Sequence, residues 1–167
     1  MRLMAFTLLL TSLCLAAAGP PLERLRPADF VYTVPTDLAA PAPGGTLEAW
    51  LTRYSTDGED LRRFYATPWS EARRRAWRSY ESAWQTALGK VRFDALSQDG
   101  KVDYLVFRNH LAARLRRLDE EERRAREIAP LVPFLGDITA LAEARQRIDP
   151  MNPAQAAALL TRIAAQV

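Results

Sequence analysis

The placement of proline constrains this chain more than any other feature. Six of the eleven prolines lie between residues 19 and 45, a stretch that ends in Ala39-Ala40-Pro41-Ala42-Pro43-Gly44-Gly45. Each proline fixes φ and removes a backbone donor, so this density suppresses helix and sheet alike. The segment reads as an extended leader, ordered only where it lies across other elements, with Leu25, Phe30, Val31 and Tyr32 available as anchors. The remaining prolines, Pro68, Pro130, Pro133, Pro150 and Pro153, punctuate the rest of the chain.

From Thr46 onward the apolar spacing is helical. Thr46 is placed to cap a helix over 47–54, with a short helical segment over 59–65 after Asp57-Gly58. Thr67-Pro68 is a cap followed by proline at the first helical position, and predicts a long helix to about residue 91. At ~100° per residue, Trp69, Ala76, Trp77, Tyr80, Ala83, Trp84, Ala87, Leu88 and Val91 share one arc, with Arg73 inside it. Aromatics at that spacing form core rather than a carbohydrate platform. Ser97 caps the next helix, near residues 98–129. Its first half is apolar on two sides: Tyr104, Phe107, Leu111, Leu115 and Leu118 oppose Val102, Leu105, Val106, Ala112 and Ala113. A helix buried on both flanks belongs in the middle of a bundle. Beyond Leu118 one weak face remains, so that end should project towards solvent or a partner absent from this chain. A helix over 134–148 comes next, with Ile138, Leu141 and Ile148 inward. Asn152-Pro153 opens a last one, with Ala156, Leu160, Ile163 and Val167 inward. The expected fold is all-α, an irregular bundle of about four to six helices, with no strand pattern.

Residues 1–18 have the three parts of a secretory signal. Met1-Arg2 is the basic start, residues 3–15 are an apolar core too short to span a bilayer comfortably, and Ala16-Ala17-Ala18 is a small-residue cleavage site. Cleavage is expected after Ala18, which makes the protein exported, periplasmic or secreted. Cys14, preceded by Leu13, reads as part of the signal core and not as a lipid attachment site. It is the sole cysteine, so residues 19–167 hold none, and disulfides and thiol chemistry are excluded there. The chain then divides into 1–18 (signal), 19–45 (leader) and 46–167 (helical domain, read as the front part of a larger domain).

Residues 19–167 carry 22 basic and 20 acidic side chains, a net charge of +2. Arg116-Arg117 and Arg123-Arg124 bracket Asp119-Glu120-Glu121-Glu122, the pattern of a solvated, ion-paired helix face and not of a nucleic-acid interface. Arg73-Arg74-Arg75 is the one unbalanced run. The polar faces are acid-balanced, which argues against membrane-surface binding.

Little chemistry is legible. The single histidine, His110, shares a helical strip with Asp103 and Arg114. One histidine and one carboxylate beside an arginine make a poor metal site and a good hydrogen-bonded structural cluster. No phosphate loop follows a strand, and no nucleophile elbow accompanies His110. No catalytic, cofactor-binding or metal residue is therefore assigned; the structural polar residues are Arg73, Asp103 and His110. Arg73 falls within the aromatic arc, where its guanidinium could stack on a ring and pair with Asp103 on the neighbouring helix.

Four segments together carry a family resemblance. They are Phe64-Tyr65-Ala66-Thr67-Pro68-Trp69-Ser70, Val91-Arg92-Phe93-Asp94-Ala95-Leu96-Ser97, Val102-Asp103-Tyr104-Leu105-Val106-Phe107-Arg108-Asn109-His110-Leu111 and Glu127-Ile128-Ala129-Pro130-Leu131-Val132-Pro133-Phe134. In this order the chain, from about residue 47, resembles the N-terminal helical region of the bacterial domain-of-unknown-function 885 family. The resemblance implies a longer, exported, largely helical protein with zinc-peptidase character. It also implies a His-Glu-x-x-Pro-Gly-His metal site far downstream of the matched region, a motif this sequence lacks. No zinc ligand is carried over, and the expected partner is the missing C-terminal part of the same protein or a peptide substrate. The alternative is a self-contained periplasmic helical module that binds a protein or envelope partner.

Overall fold

The computed structural model describes residues 30–150 and 152–165, and these are all-helical without a strand. Five α-helices run in order: α1 (Glu48–Phe64), α2 (Glu71–Leu88), α3 (Gln98–Ile128), α4 (Leu135–Gln146) and α5 (Pro153–Ala164). A 3-10 turn, Phe93–Ala95, precedes α3. The expected signal and cleavage site at Ala18, the anchor Leu25 and the inward Val167 lie outside the described residues.

Local chemistry sets the helix boundaries. Ser70 is extended and its hydroxyl accepts from Arg73 N at 3.1 Å, which starts α2 with Glu71 in the first turn, where a carboxylate complements the helix dipole. Trp69 sits in the left-handed region at φ 62, so the chain reverses between Pro68 and this cap. Thr67-Pro68 is therefore the corner before the helix and not its cap, and Trp69 is half exposed instead of joining the aromatic arc. Ser97 caps α3 by accepting from Gly100 N at 3.0 Å, while its hydroxyl and its amide both donate to Gly45 O at 3.1 Å. Asn152 caps α5 in the same manner, with Pro153 in its first turn.

α1 is one helix, where a break at Asp57-Gly58 was expected. Gly58 is buried in its interior because the Tyr80 ring packs there; a Cβ would meet Tyr80 Oη at 3.3 Å. Its start has no side-chain cap: Leu47, and not Thr46, stands at the N-cap position. Leu47 N donates instead to Asp103 Oδ2 at 3.5 Å.

The core lies between α1, α2 and α3, and the described part of the leader, from Phe30 onward, runs across it. Tyr32 packs edge-on against Tyr80 at 4.7 Å, and its amide donates to Ser79 Oγ at 2.8 Å. Phe30 meets Tyr65 at 5.6 Å, while the Trp50 indole donates to Ala39 O at 3.0 Å. Val31 points to solvent and anchors nothing. Inside, Tyr54 lies 4.9 Å from Phe107 and 5.2 Å from Tyr80, and Trp50 lies 5.9 Å from Trp84. Offset and edge-to-face pairs of this kind add to the area they bury. Leu47, Leu61, Leu88, Leu111 and Leu118 close the space around them.

The middle of the bundle is α2 and not, as expected, the helix near 98–129. α2 buries Ala72, Ala76, Trp77, Tyr80, Glu81, Trp84 and Leu88 between α1 and α3. α3, though 31 residues long, buries Gly100, Phe107, Leu111 and Leu118 along one side. Val102, Leu105 and Val106 on its other side are exposed, because among the described residues no element covers that flank. Beyond Leu118, α3 does not project freely: Asp119 and Glu122 take Arg78 of α2 at 2.7 and 3.1 Å. α4 buries none of its residues, and the expected inward Ile138 and Ile148 are exposed. Of the inward set in α5, Ile163 is buried and Leu160 is exposed.

Gly100 shows how tightly the leader is seated. A Cβ there would fall well inside contact distance of Gly45 O. Alanine is the better helix former by ~1 kcal/mol, yet Gly100→Ala is expected to lower the thermal midpoint, since the leader must move off Ser97 to make room. A raised midpoint would show that this seat is loose.

Candidate functional site

The strongest polar constellation joins three helices. Glu81 of α2 is fully buried, a position that disfavours a carboxylate unless it is paired and hydrogen-bonded. Arg114 of α3 donates through Nε to Glu81 Oε1 at 2.9 Å, and its guanidinium carbon stands 5.0 Å over the Trp77 ring. Tyr54 of α1 donates to Glu81 Oε2 at 2.9 Å, and its oxygen lies 3.0 Å from His110 Nε2. The phenol has one proton and the arginine-paired carboxylate can only accept. His110 Nε2 must therefore be the donor to Tyr54 Oη. The ring then presents Nδ1 away from the cluster, and His110 itself is exposed.

Beside His110 lies an open depression of about 300 Å³ lined by Leu51, Tyr54, Asp103, Val106, Phe107 and His110. It holds one imidazole and one carboxylate, with no serine, cysteine or second histidine on its wall. Among the described residues no three His, Cys, Asp or Glu side chains converge as a metal set would require. What the cluster does physically is lock α1, α2 and α3 in register through charge-assisted bonds.

Two further polar ties hold the periphery. Asp57 takes Arg53 at 2.8 Å and the Tyr32 hydroxyl, which fastens the leader to α1. Gln146 of α4 donates to the carbonyls of Arg63 at 2.8 Å and Phe64 at 3.0 Å, satisfying acceptors at the end of α1. Beside it, the Ser70 hydroxyl donates to Glu143.

The tyrosines set the response to alkali. Burial pushes the Tyr80 phenol far up, with Tyr54 and Tyr32 adding to it. Burial followed by the charge of Glu81 does the same for Tyr54, and burial followed by the hydrogen bond to Asp57 does so for Tyr32. A phenol whose folded pKa lies above its unfolded value of ~10 contributes stability that is complete below that pH and is lost as pH rises beyond it. The thermal midpoint is expected to fall above pH ~10, with tyrosinate absorbance from these residues appearing together with unfolding. Full tyrosinate absorbance in a folded chain would show the phenols to be accessible.

Of the residues singled out from sequence, His110 enters the cluster and Asp103 lies in the adjoining depression. Arg73 belongs to neither. It is 31% exposed and faces Glu121 at 3.8 Å, and the arginine over an aromatic ring is Arg114. The expected Arg73–Asp103 pair fails for a geometric reason. α3 runs antiparallel to α2, so Trp84 meets Phe107 while Arg73, roughly 16 Å further along the axis, meets the acidic end of α3. Glu81 and Tyr54 were missed. The signal for Glu81 was present: it sits four residues after Trp77 and three before Trp84, inside the aromatic arc, where a carboxylate demands a partner. No described helix is long and apolar enough to cross a membrane. Comparison with protein-family models, curated proteins and solved structures finds no match to this chain.

Proposed function

We propose that the chain is the non-catalytic N-terminal helical portion of an exported protein of the zinc-peptidase-like kind, a framework against which further polypeptide of the same protein packs. The observation that carries this reading is the uncovered flank of α3, where Val102, Leu105 and Val106 are 51%, 40% and 63% exposed on one side of a helix whose other side is core. Three β-branched or leucine side chains at helical spacing mark a face built to be covered. The zinc site and the catalytic groups would then belong to the further polypeptide, with a peptide as the substrate.

A self-contained module that binds a protein or envelope partner is the second reading. It is favoured by the closure of the aromatic core within residues 30–118, leader included. The downstream coding sequence separates the two. An in-frame His-Glu-x-x-Pro-Gly-His segment supports the framework reading, and a stop codon directly after Val167 would remove it. The export component is tested separately by mass spectrometry of the secreted protein, which should begin at Gly19.

A further inference from the structure

We propose that the cleft between the start of α2 and the end of α3 binds a phosphate group, free or as a monoester, on Arg74 and Arg126. The cleft has a volume of about 530 Å³ and is lined by Glu71, Arg74, Arg75, Arg78, Glu122 and Arg126, together with Ala125 and Ala129. Four guanidinium groups thus face two carboxylates, and both carboxylates are already engaged. Glu71 takes Arg75 at 2.9 Å, and Glu122 takes Arg78 at 3.1 Å, with Asp119 sharing Arg78 at 2.7 Å.

Arg74 and Arg126 are left over. Half-buried Arg74 donates one N–H to Trp69 O at 2.8 Å and has no acidic partner among the described residues, so its remaining donors are unspent and its position is fixed. Arg126 is exposed and likewise has no acidic partner among the described residues. The helix dipole at the end of α3 attracts it but offers no counter-charge of a full unit. Two unneutralised guanidinium forks in one cleft match a dianion with several oxygens, which each fork can grip by two parallel N–H···O bonds. The two small alanines leave the room such an anion needs. The carbonyl that fixes Arg74 belongs to Trp69, the residue held at positive φ, so the corner before α2 also sets the position of this guanidinium. Arg74 and Arg126 are remote from the Val102–Leu105–Val106 flank, and the site does not depend on that flank being covered.

The test is a titration of the purified chain, followed by arginine Nε–Hε NMR signals, with inorganic phosphate, glycerol phosphate and succinate against chloride at matched ionic strength. Saturable binding of phosphate and glycerol phosphate is expected, weakened roughly tenfold or more in Arg74→Ala and in Arg126→Ala. Arg108→Ala, an exposed arginine elsewhere on α3, should leave it unchanged. Both cleft variants remove guanidinium groups outside the core, and circular dichroism would verify their folding. Binding of inorganic phosphate alone would assign the free ion, and equal binding of the two would assign the phosphate group from either source. Non-saturable shifts, equal binding by all three variants, or succinate binding as tight as phosphate would each overturn the proposal.

Discussion

Denaturant unfolding of Arg114→Met is expected to give a stability about 3 kcal/mol below that of the parent chain. Methionine keeps part of the aliphatic stem but not the guanidinium that stands over Trp77, so the loss reports the charge together with its ring contact. It leaves the Glu81 carboxylate, wholly shut off from water, with one neutral partner, the Tyr54 hydroxyl. The loss sits at the lower end of what such a break causes because the Arg114 side chain keeps 30% of its exposure and its own charge is partly hydrated. A paired substitution, Glu81→Leu with Arg114→Met, should recover much of the loss, since no charge then remains buried. A loss below ~1 kcal/mol for Arg114→Met, the scale of exposed pairs such as Arg53–Asp57, would show that water reaches Glu81 and that the cluster is not a lock.

An equally large effect is expected from Leu111→Asp, which places a carboxylate on the buried side of α3. Leu111 is fully covered, between Phe107 and Leu118 on the face turned to α2. No arginine is committed to that spot, so the new charge must either stay unpaired or open the core, at a cost of several kcal/mol. Leu105→Asp on the opposite side, at 40% exposure, should shift stability by ~0.5 kcal/mol or less. A large loss at Leu105 in the isolated chain would mean that something covers that flank, a second copy being the first possibility to check by sedimentation.

That contrast also shows where sequence reasoning stopped. The apolar spacing of Val102, Leu105 and Val106 is as helical as that of Phe107, Leu111 and Leu118. Periodicity reports which side chains share a face but not whether another element lies against it. The same limit explains the central helix: two apolar faces suggested the middle position for α3, whereas the aromatic arc of α2 takes it. The arc itself, from Trp77 through Tyr80 and Trp84 to Leu88, was legible because bulky aromatics at that spacing are seldom left uncovered. Ser97 was legible as a cap for the reason that it works: a short hydroxyl beside three free amides. Trp69 was not, since nothing in Thr67-Pro68-Trp69-Ser70 announces a left-handed tryptophan, a conformation that runs against its own preference. In the polar cluster, His110 was legible as structural, but its partners were not, because they come from α1 and α2 and depend on how the three helices are aligned.

The leader's seat across the helices has a kinetic consequence. The turn between α1 and α2 and the antiparallel pairing of α2 with α3 join elements that are adjacent in the chain, so these hairpins can close early. The leader's links are long-range: Tyr32 reaches Ser79 across 47 residues and Ser97 reaches back 52 residues to Gly45. Closing such loops is entropically slow unless the docking surface already exists. The leader should therefore dock last, after the rate-limiting barrier, and loosening it should speed unfolding while leaving the refolding rate nearly untouched. On a ribosome the order is reversed in time. Tyr32 emerges first and must wait for Tyr80, Trp84 and Phe107 before it has a surface to lie on. Until then the segment around Tyr32 stays undocked and open to any factor that handles extended chains.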